Sequence, residues 1–476
     1  MKLFKKILIT LLLSIATFVI GAMLVAKVYE DEIKTYVIKE LNKSLLTPVQ
    51  INTAKDVTLS LLKKFPNATL EFKNITIKSN QVIRGGDLSL PSIDTLCHAK
   101  TIFLEFNLVD ILQKKYTIKE IHVDRAKILL LTDNMGRNNY DFIKISKNSN
   151  NQNFFLSLDK VLFTNTLFEY LYLPKKIHAK GFTKKTFFKG NFQTSKYKLN
   201  VDGNFDMEKG IFQNVNYLDH QSISLFFKLD IQDDKYYLQQ GEVLIGKLKF
   251  NSQGLIHQKD KFTYLNLKIK GNELDVTSFL SLLPAQNRVE LDKFHSYGNF
   301  YFNGHIKGNL NKWSQPSINV DFGIKNGTIK NIEKGYEFNN VRVEAKFSNG
   351  SNQSPETSEI NFLHFSTNDK NNLIEGKGKV INFKNLVYRF QATSILHFPM
   401  IDKFIGKENF KLVSGKIESQ WLLEGRLKKG LSFSVNDLDE LTITGNTIFK
   451  EATIGLTDYN RKITLSSGKL MINNNV

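Results

Sequence analysis

The residues of this chain that could do chemistry are dispersed and poorly spaced for it. Glu375-Gly376-Lys377-Gly378-Lys379 sets glycines beside lysines. It lacks the GxxxxGK[ST] spacing that cradles phosphate, so it reads as a turn. Nine histidines are scattered, and none forms an HExxH or an i, i+4 pair suited to a metal. His295 and His305 read as surface or turn residues flanking a strand. No GxSxG nucleophile elbow occurs, and the sequons Asn67-Ala68-Thr69 and Asn74-Ile75-Thr76 read as chance matches. Cys97 is the single cysteine, which excludes an intrachain disulfide and a Cys-rich zinc site. It is expected to pack as a small hydrophobe. No catalytic, metal-binding or cofactor-binding residues are expected, and the chain does not read as an enzyme.

The charge balance does not replace what these motifs lack. There are 65 Lys and Arg against 46 Asp and Glu, a formal charge of +19. A basic balance fits nucleic acid or an anionic membrane. Here the lysines are spread among acids and serines, without the concentrated patch and stacking aromatics that nucleic-acid binding needs. Nucleic acid is not an expected partner.

What remains is the scaffold. The 476 residues exceed one compact core, and the eight prolines are few for linkers or tails. Ile7 to Ala26 carries no charge, and at ~1.5 Å per residue it covers a ~30 Å hydrocarbon core. Leu24-Val25-Ala26 is a poor cleavage site, so a retained anchor is expected. Lys2, Lys5 and Lys6 precede it and Glu30, Asp31 and Glu32 follow it, placing the N-terminus in the cytoplasm and the remainder across the membrane.

After the anchor, Val28 to Leu46 has helical spacing at Ile33, Val37, Ile38, Leu41 and Leu45. Val49 to Ile51 reads as a strand, and a second short helix is expected around Leu59 to Lys64. From Thr69 onward period two dominates. An alternation through Leu70 and Phe72 restarts out of phase at Ile75 and Ile77. Tyr197, Leu199, Val201 and Phe205 alternate with polar residues, as do Ile223, Leu225, Phe227, Leu229 and Ile231. Ile318, Val320, Phe322 and Ile324 repeat the pattern, followed by Val341, Val343, Ala345 and Phe347. These read as half-buried antiparallel strands. Asp133 to Gly136, Asp233-Asp234 and Lys325 to Thr328 read as hairpin turns. Brief helices are expected at Asp275 to Pro284 and Phe398 to Gly406. Gly298 and Gly415 lie 117 residues apart, as do Gly308 and Gly425, an internal echo. Periodicity alone leaves open whether the apolar face is buried in a sandwich or lines a trough.

The anchor and helix, FPNATLEFKNITIKSN, AKTIFLEFNLVDILQKKYTIKEIHVDRAKILLL, TDNMGRNNYDFIK and GNFYFNGHIKGNLNKWSQPSINVDFGIKNGTIKN together resemble the AsmA family in the form found in Bacteroidetes-type bacteria. The resemblance covers essentially the whole chain and rests on pattern and order. It implies an inner-membrane, periplasmic protein whose elongated, curled antiparallel β-sheet forms an open groove, with a few short helices. The implied role is moving phospholipid toward the outer membrane, or supporting outer-membrane assembly and homeostasis. The expected regions are the stub and anchor (1–28), an AsmA-like N-terminal region (29–150), a middle groove segment (151–296) and a repeat-like segment (297–476). Family members of this type are often longer, so the end at KLMINNNV is expected to reflect truncation or an envelope protein partner. The residues expected to line the groove are Tyr197, Leu199, Val201, Phe205, Ile223, Leu225, Phe227, Leu229, Ile231, Ile318, Val320, Phe322 and Ile324. The rival expectation is a periplasmic scaffold that carries no lipid.

Overall fold

The computed structural model describes residue 21 and residues 30–47, 56–64, 67–83, 93–107, 110, 113, 117–141, 158–191, 196–212, 214–259, 262–280, 293–311, 313–369, 372–405, 410–426, 442–456 and 461–475. The expected anchor at 7–26, apart from residue 21, and the expected strand at 49–51 lie outside these residues. Among the described residues no helix is long and apolar enough to cross a membrane. The chain is mostly β and divides into two compact units, Met1–Asp233 and Asp234–Val476.

In the first unit helix α1 (Glu30–Ser44) precedes strands β1 (Val57–Lys64), β2 (Asn67–Ile83), β3 (Ile93–Asn107), β4 (Ile118–Thr132), β5 (Lys160–Tyr172), β6 (Ile177–Gly190), β7 (Lys196–Phe212), β8 (Val215–Asn216) and β9 (Ser222–Gln232). The acidic first turn of α1, Glu30 to Glu32, suits the positive end of its dipole. The short helix expected around Leu59 to Lys64 is instead strand β1, because Val57 and Leu59 pair with Phe72 and Leu70. Tertiary pairing overrides the helical propensity of leucine and lysine there. Sequential strands pair antiparallel, except that β9 pairs with β7 past the two-residue β8 and that β5 runs parallel to β4, Glu120 opposite Lys160 and Thr132 opposite Tyr172. The expected hairpin at Asp133 to Gly136 therefore turns the chain only as far as an isolated bridge between Thr132 and Asn138. A parallel neighbour requires a crossover, which a tight turn cannot provide.

The phase slip between Phe72 and Ile75 is part of a crease across five strands. Phe72, Ile102, Val123 and Phe163 lie on the apolar face, and so do Ile75, Ala99, Ala126 and Thr166. Between them each strand turns two consecutive residues outward: Lys73-Asn74, Lys100-Thr101, Asp124-Arg125, Thr164-Asn165 and, in β6, Lys184-Lys185. Asn74, Arg125 and Asn165 take left-handed backbone, φ 51°, 50° and 48°. Inside the crease the residues are small and buried, namely Ala99, Ala126, Thr166 and Thr183. Small groups inside and doubled residues outside bend this part of the sheet toward its apolar face, as bulges do.

The second unit is an antiparallel ladder in chain order: β10 (Lys235–Ile245), β11 (Leu248–Lys259), β12 (Phe262–Asp275), β13 (Phe294–Leu310), β14 (Ser317–Asn331), β15 (Glu337–Ser348), β16 (Glu359–Asn368), β17 (Leu373–Ile381), β18 (Val387–His397), β19 (Phe410–Arg426), β20 (Thr442–Leu456) and β21 (Arg461–Asn475). Helices α2 (Val276–Leu280) and α3 (Phe398–Ile405) precede β13 and β19, where helices were expected. Lys325 to Thr328 does not form a hairpin; it lies inside β14 as a bulge, with the register shifting between Ile324 and Gly327. Asn326 at φ 52° serves a bulge as readily as a turn. Glu375 to Lys379 is the middle of β17, not a turn, because all five residues pair with β18 and all but Lys377 pair with β16 as well.

The internal echo has a structural counterpart. Gly298 (φ 129°) backs onto the left-handed Asn326, and a Cβ there would meet the Cα of Gly327 at 2.6 Å. Gly415 (φ 114°) backs onto Glu451 (φ 52°), and a Cβ would meet the Cα of Ala452 at 2.7 Å. Gly308 and Gly425 differ: the first has positive φ beside Pro316, while the second lies under Tyr388. The repeated unit is thus a short helix, a glycine-kinked strand and a left-handed residue on the next strand.

Candidate functional site

Antiparallel pairing puts directly opposed residues on one face, so apolar alternation in each strand becomes rows across a unit. In the second unit one row runs Phe302, Phe322, Ala345, Phe362, Gly378, Phe390, Leu423, Ile443. The adjacent row holds Val320, Phe347, Ile360, Val380 and Tyr388. Large and small residues alternate in the middle of the first row, from Phe322 to Phe390. The Phe362 and Phe390 rings, on strands two apart, approach to 5.5 Å over Gly378. Strands two apart in a flat ladder are separated by about 9.6 Å, so the rings lean together where the middle strand has no side chain. Phe250 and Phe302 do the same at 5.7 Å over the Gly271 region.

Phe322, Phe347, Phe362, Phe365, Phe390, Trp421 and Leu423 are only half-buried. Sandwich cores bury such residues fully. Among the described residues protein cover is local: Val276 of α2 packs with Leu248, Leu274 and Phe300, and the Phe398 ring of α3 lies 6.4 Å from Phe449. Because β13 and β19 run in the same direction, both helices sit at one end of the ladder. Lys403 of α3 reaches the Gly335 carbonyl at 3.2 Å there. The other face carries ion pairs, with Glu359–Lys379 and Arg389–Glu424 at 2.7 Å and Lys450–Glu418 also at 2.7 Å.

The expected groove residues of the first unit come together. Tyr197 opposes Ile231, Leu199 opposes Leu229, Val201 opposes Phe227 and Phe205 opposes Ile223, while Leu225 faces Gly203. Ile223 and Ile231 are buried, and the others are half-buried. In the second unit Ile318, Val320, Phe322 and Ile324 oppose Ile306, Gly304, Phe302 and Phe300, and all four are half-buried. Leu70 and Phe72 are different. They are packed in a closed core with Val37 of α1, Phe106, Ile118 and Leu158, so protein covers the apolar face at that end. The alternation of β15 was read in the sequence, but the aromatic rows of β16 to β19 were missed, where glycines at 376, 378 and 425 interrupt the alternation.

Among the described residues the polar side chains show no chemical constellation. His305 is half-buried within β13, bonded to Asn266 Oδ1 at 2.8 Å, and His295 lies in the same strand. His122 meets Thr164 Oγ1 at 2.8 Å, and burial, then the nearby Lys64 charge, hold its pKa below the usual value. Burial pushes the Cys97 thiol up to about 12, leaving it protonated and inert. Among the described residues no group of three His, Cys, Asp or Glu is placed to hold a metal ion. No protein family, curated protein or solved structure matches the chain.

Proposed function

We propose that the apolar faces of the two units shelter the acyl chains of lipid, in a protein anchored through Ile7–Ala26 with its body in the periplasm of a Gram-negative envelope. Phospholipid transport toward the outer membrane, or support of its assembly, is the role this serves, in keeping with the AsmA resemblance. The observation that carries the reading is the row from Phe302 to Ile443: apolar across eight strands, half-exposed at all but the buried Ala345, and backed by a charged face. Leaving a ~16-carbon chain in water costs on the order of 12 kcal/mol at ~0.8 kcal/mol per methylene, so lipid in an aqueous compartment needs continuous apolar cover. Linear rows offer that; enclosed pockets do not.

The test is extraction of a self-quenched fluorescent phospholipid from vesicles by the reconstituted full chain. Dequenching proportional to protein is expected, and its loss in Phe322→Asp and Leu423→Asp variants that melt like the wild type. Absence of dequenching with folded protein would favour a scaffold instead.

A further inference from the structure

The crease of the first unit has an outer edge whose charge its geometry does not require. Lys73, Lys100, Arg125, Lys184 and Lys185 lie there on strands β2, β3, β4 and β6, all exposed, with Lys127 two residues beyond Arg125. Neighbouring strands are ~4.8 Å apart, so the cations form a line across the sheet. Several other lysines of this unit are ion-paired, among them Lys64 with Glu105, Lys78 with Asp94, Lys160 with Glu120 and Lys180 with Glu208. Among the described residues none of the crease lysines has an ion pair. Asp124 is the one acid in the outward doublets, and it is occupied by Arg125 Nε at 2.6 Å and Thr164 Oγ1 at 2.7 Å. Glu71 lies two residues from Lys73 on β2.

The second unit makes equivalent doublets with other residues. Gln239-Gln240, Asn339-Asn340, Leu363-His364 and Lys450-Glu451 fill outward positions at its register shifts, and among the doublets whose side chains are described Lys325-Asn326 adds a single cation. Bending a strand this way therefore needs no cations. Arg125 goes further, since it takes a left-handed conformation at φ 50° that Asn74 and Asn165 adopt at lower cost. The outward doublets of the crease hold no aromatic or large aliphatic side chain that would anchor a protein partner or stack on a base.

We infer that this outer edge docks on an anionic bilayer surface, with lipid phosphates facing the line of lysines. The surface lies on the face opposite the one proposed to hold acyl chains, so its failure leaves that proposal untouched, and the reverse. To test it, the full chain carrying His98→Cys is labelled with a donor fluorophore beside the crease; buried Cys97 does not react. It is reconstituted into phosphatidylcholine vesicles with or without about a third phosphatidylglycerol, with an acceptor on the headgroups. Energy transfer is expected to be higher in the anionic vesicles and to fall at high salt. Each cation near such a surface is worth about fivefold, so Lys184→Gln with Lys185→Gln is expected to lower the docked-to-undocked ratio ~25-fold with an unchanged melting curve. Equal transfer in both vesicle types, or an unaltered ratio in the double variant, would overturn the inference. Salt-sensitive binding of RNA or an acidic peptide in preference to the anionic vesicles would also overturn it.

Discussion

Truncating a covered ring and an uncovered one should cost very different amounts of stability. Phe106 is fully buried beneath α1, among Leu70, Ile118 and Val37. Phe106→Ala removes a complete aromatic and leaves an enclosed cavity, so a loss of about 3–5 kcal/mol is expected. Phe322 is half-buried on the apolar face, with the Phe300 ring at 6.3 Å on one side. Half of a full burial term is about 1 kcal/mol, and the lost ring contact adds about 0.5 kcal/mol. No cavity forms on a face that is open. Phe322→Ala is therefore expected to cost about 1–2 kcal/mol. Urea unfolding measures both, because both tryptophans, Trp313 and Trp421, lie in the second unit. Tryptophan fluorescence follows Phe322→Ala, and far-ultraviolet circular dichroism follows Phe106→Ala. A loss of 3 kcal/mol or more at Phe322 would refute the reasoning, since only a second protein layer over that face could produce it.

Other expectations follow from the backbone and the titrating groups. Gly298→Ala and Gly415→Ala should each cost more than about 1–3 kcal/mol, because strain adds to a clash with the neighbouring backbone. Gly335→Ala, at φ 68° in open space, should cost about 1 kcal/mol in the same thermal melts. Arg125→Asn should stabilise the first unit by up to about 1 kcal/mol as left-handed strain falls, a gain reduced by loss of the partly exposed Asp124 pair. Unchanged or lower stability would remove strain as a cost of this arginine. The folded pKa of His122 is lowered, so its contribution is present above the unfolded value near 6.5 and lost as pH falls through the folded one. Denaturation between pH 7.5 and 5 should show stability declining more in the wild type than in His122→Gln. An equal decline would contradict the assignment.

Much of the fold was legible because a half-buried strand must alternate, and the strands from Tyr197 to Gln232 and from Ser317 to Ser348 do so with few breaks. Helix α3 was legible from FPMIDKFI. The failures share a physical cause, namely that several backbone solutions fit one short signal. Asn326-Gly327 suits a type I′ turn and a bulge equally, and only the partner strands choose between them. Gly376 and Gly378 break the alternation of β17, yet they are placed under Phe365 and Phe390. The parallel placement of β5 beside β4 has no local signature at all. The crease was visible once, at Phe72-Lys73-Asn74-Ile75; its other copies, Val123-Asp124-Arg125-Ala126 among them, acquire meaning only when pairing sets them side by side. The expected apolar rows were found on common faces, whereas Leu70 and Phe72 went to a closed core because α1 lies over them.

Site-specific photo-crosslinking in intact cells tests the lipid proposal most directly. A photoreactive residue replaces Phe227 or Phe322 on the apolar faces, or Lys228 or Asp321 beside them on the charged faces. Phospholipid adducts identified by mass spectrometry are expected at the first pair and absent from the second. No adducts at Phe227 and Phe322, or equal yields on both faces, would contradict a lipid-sheltering surface.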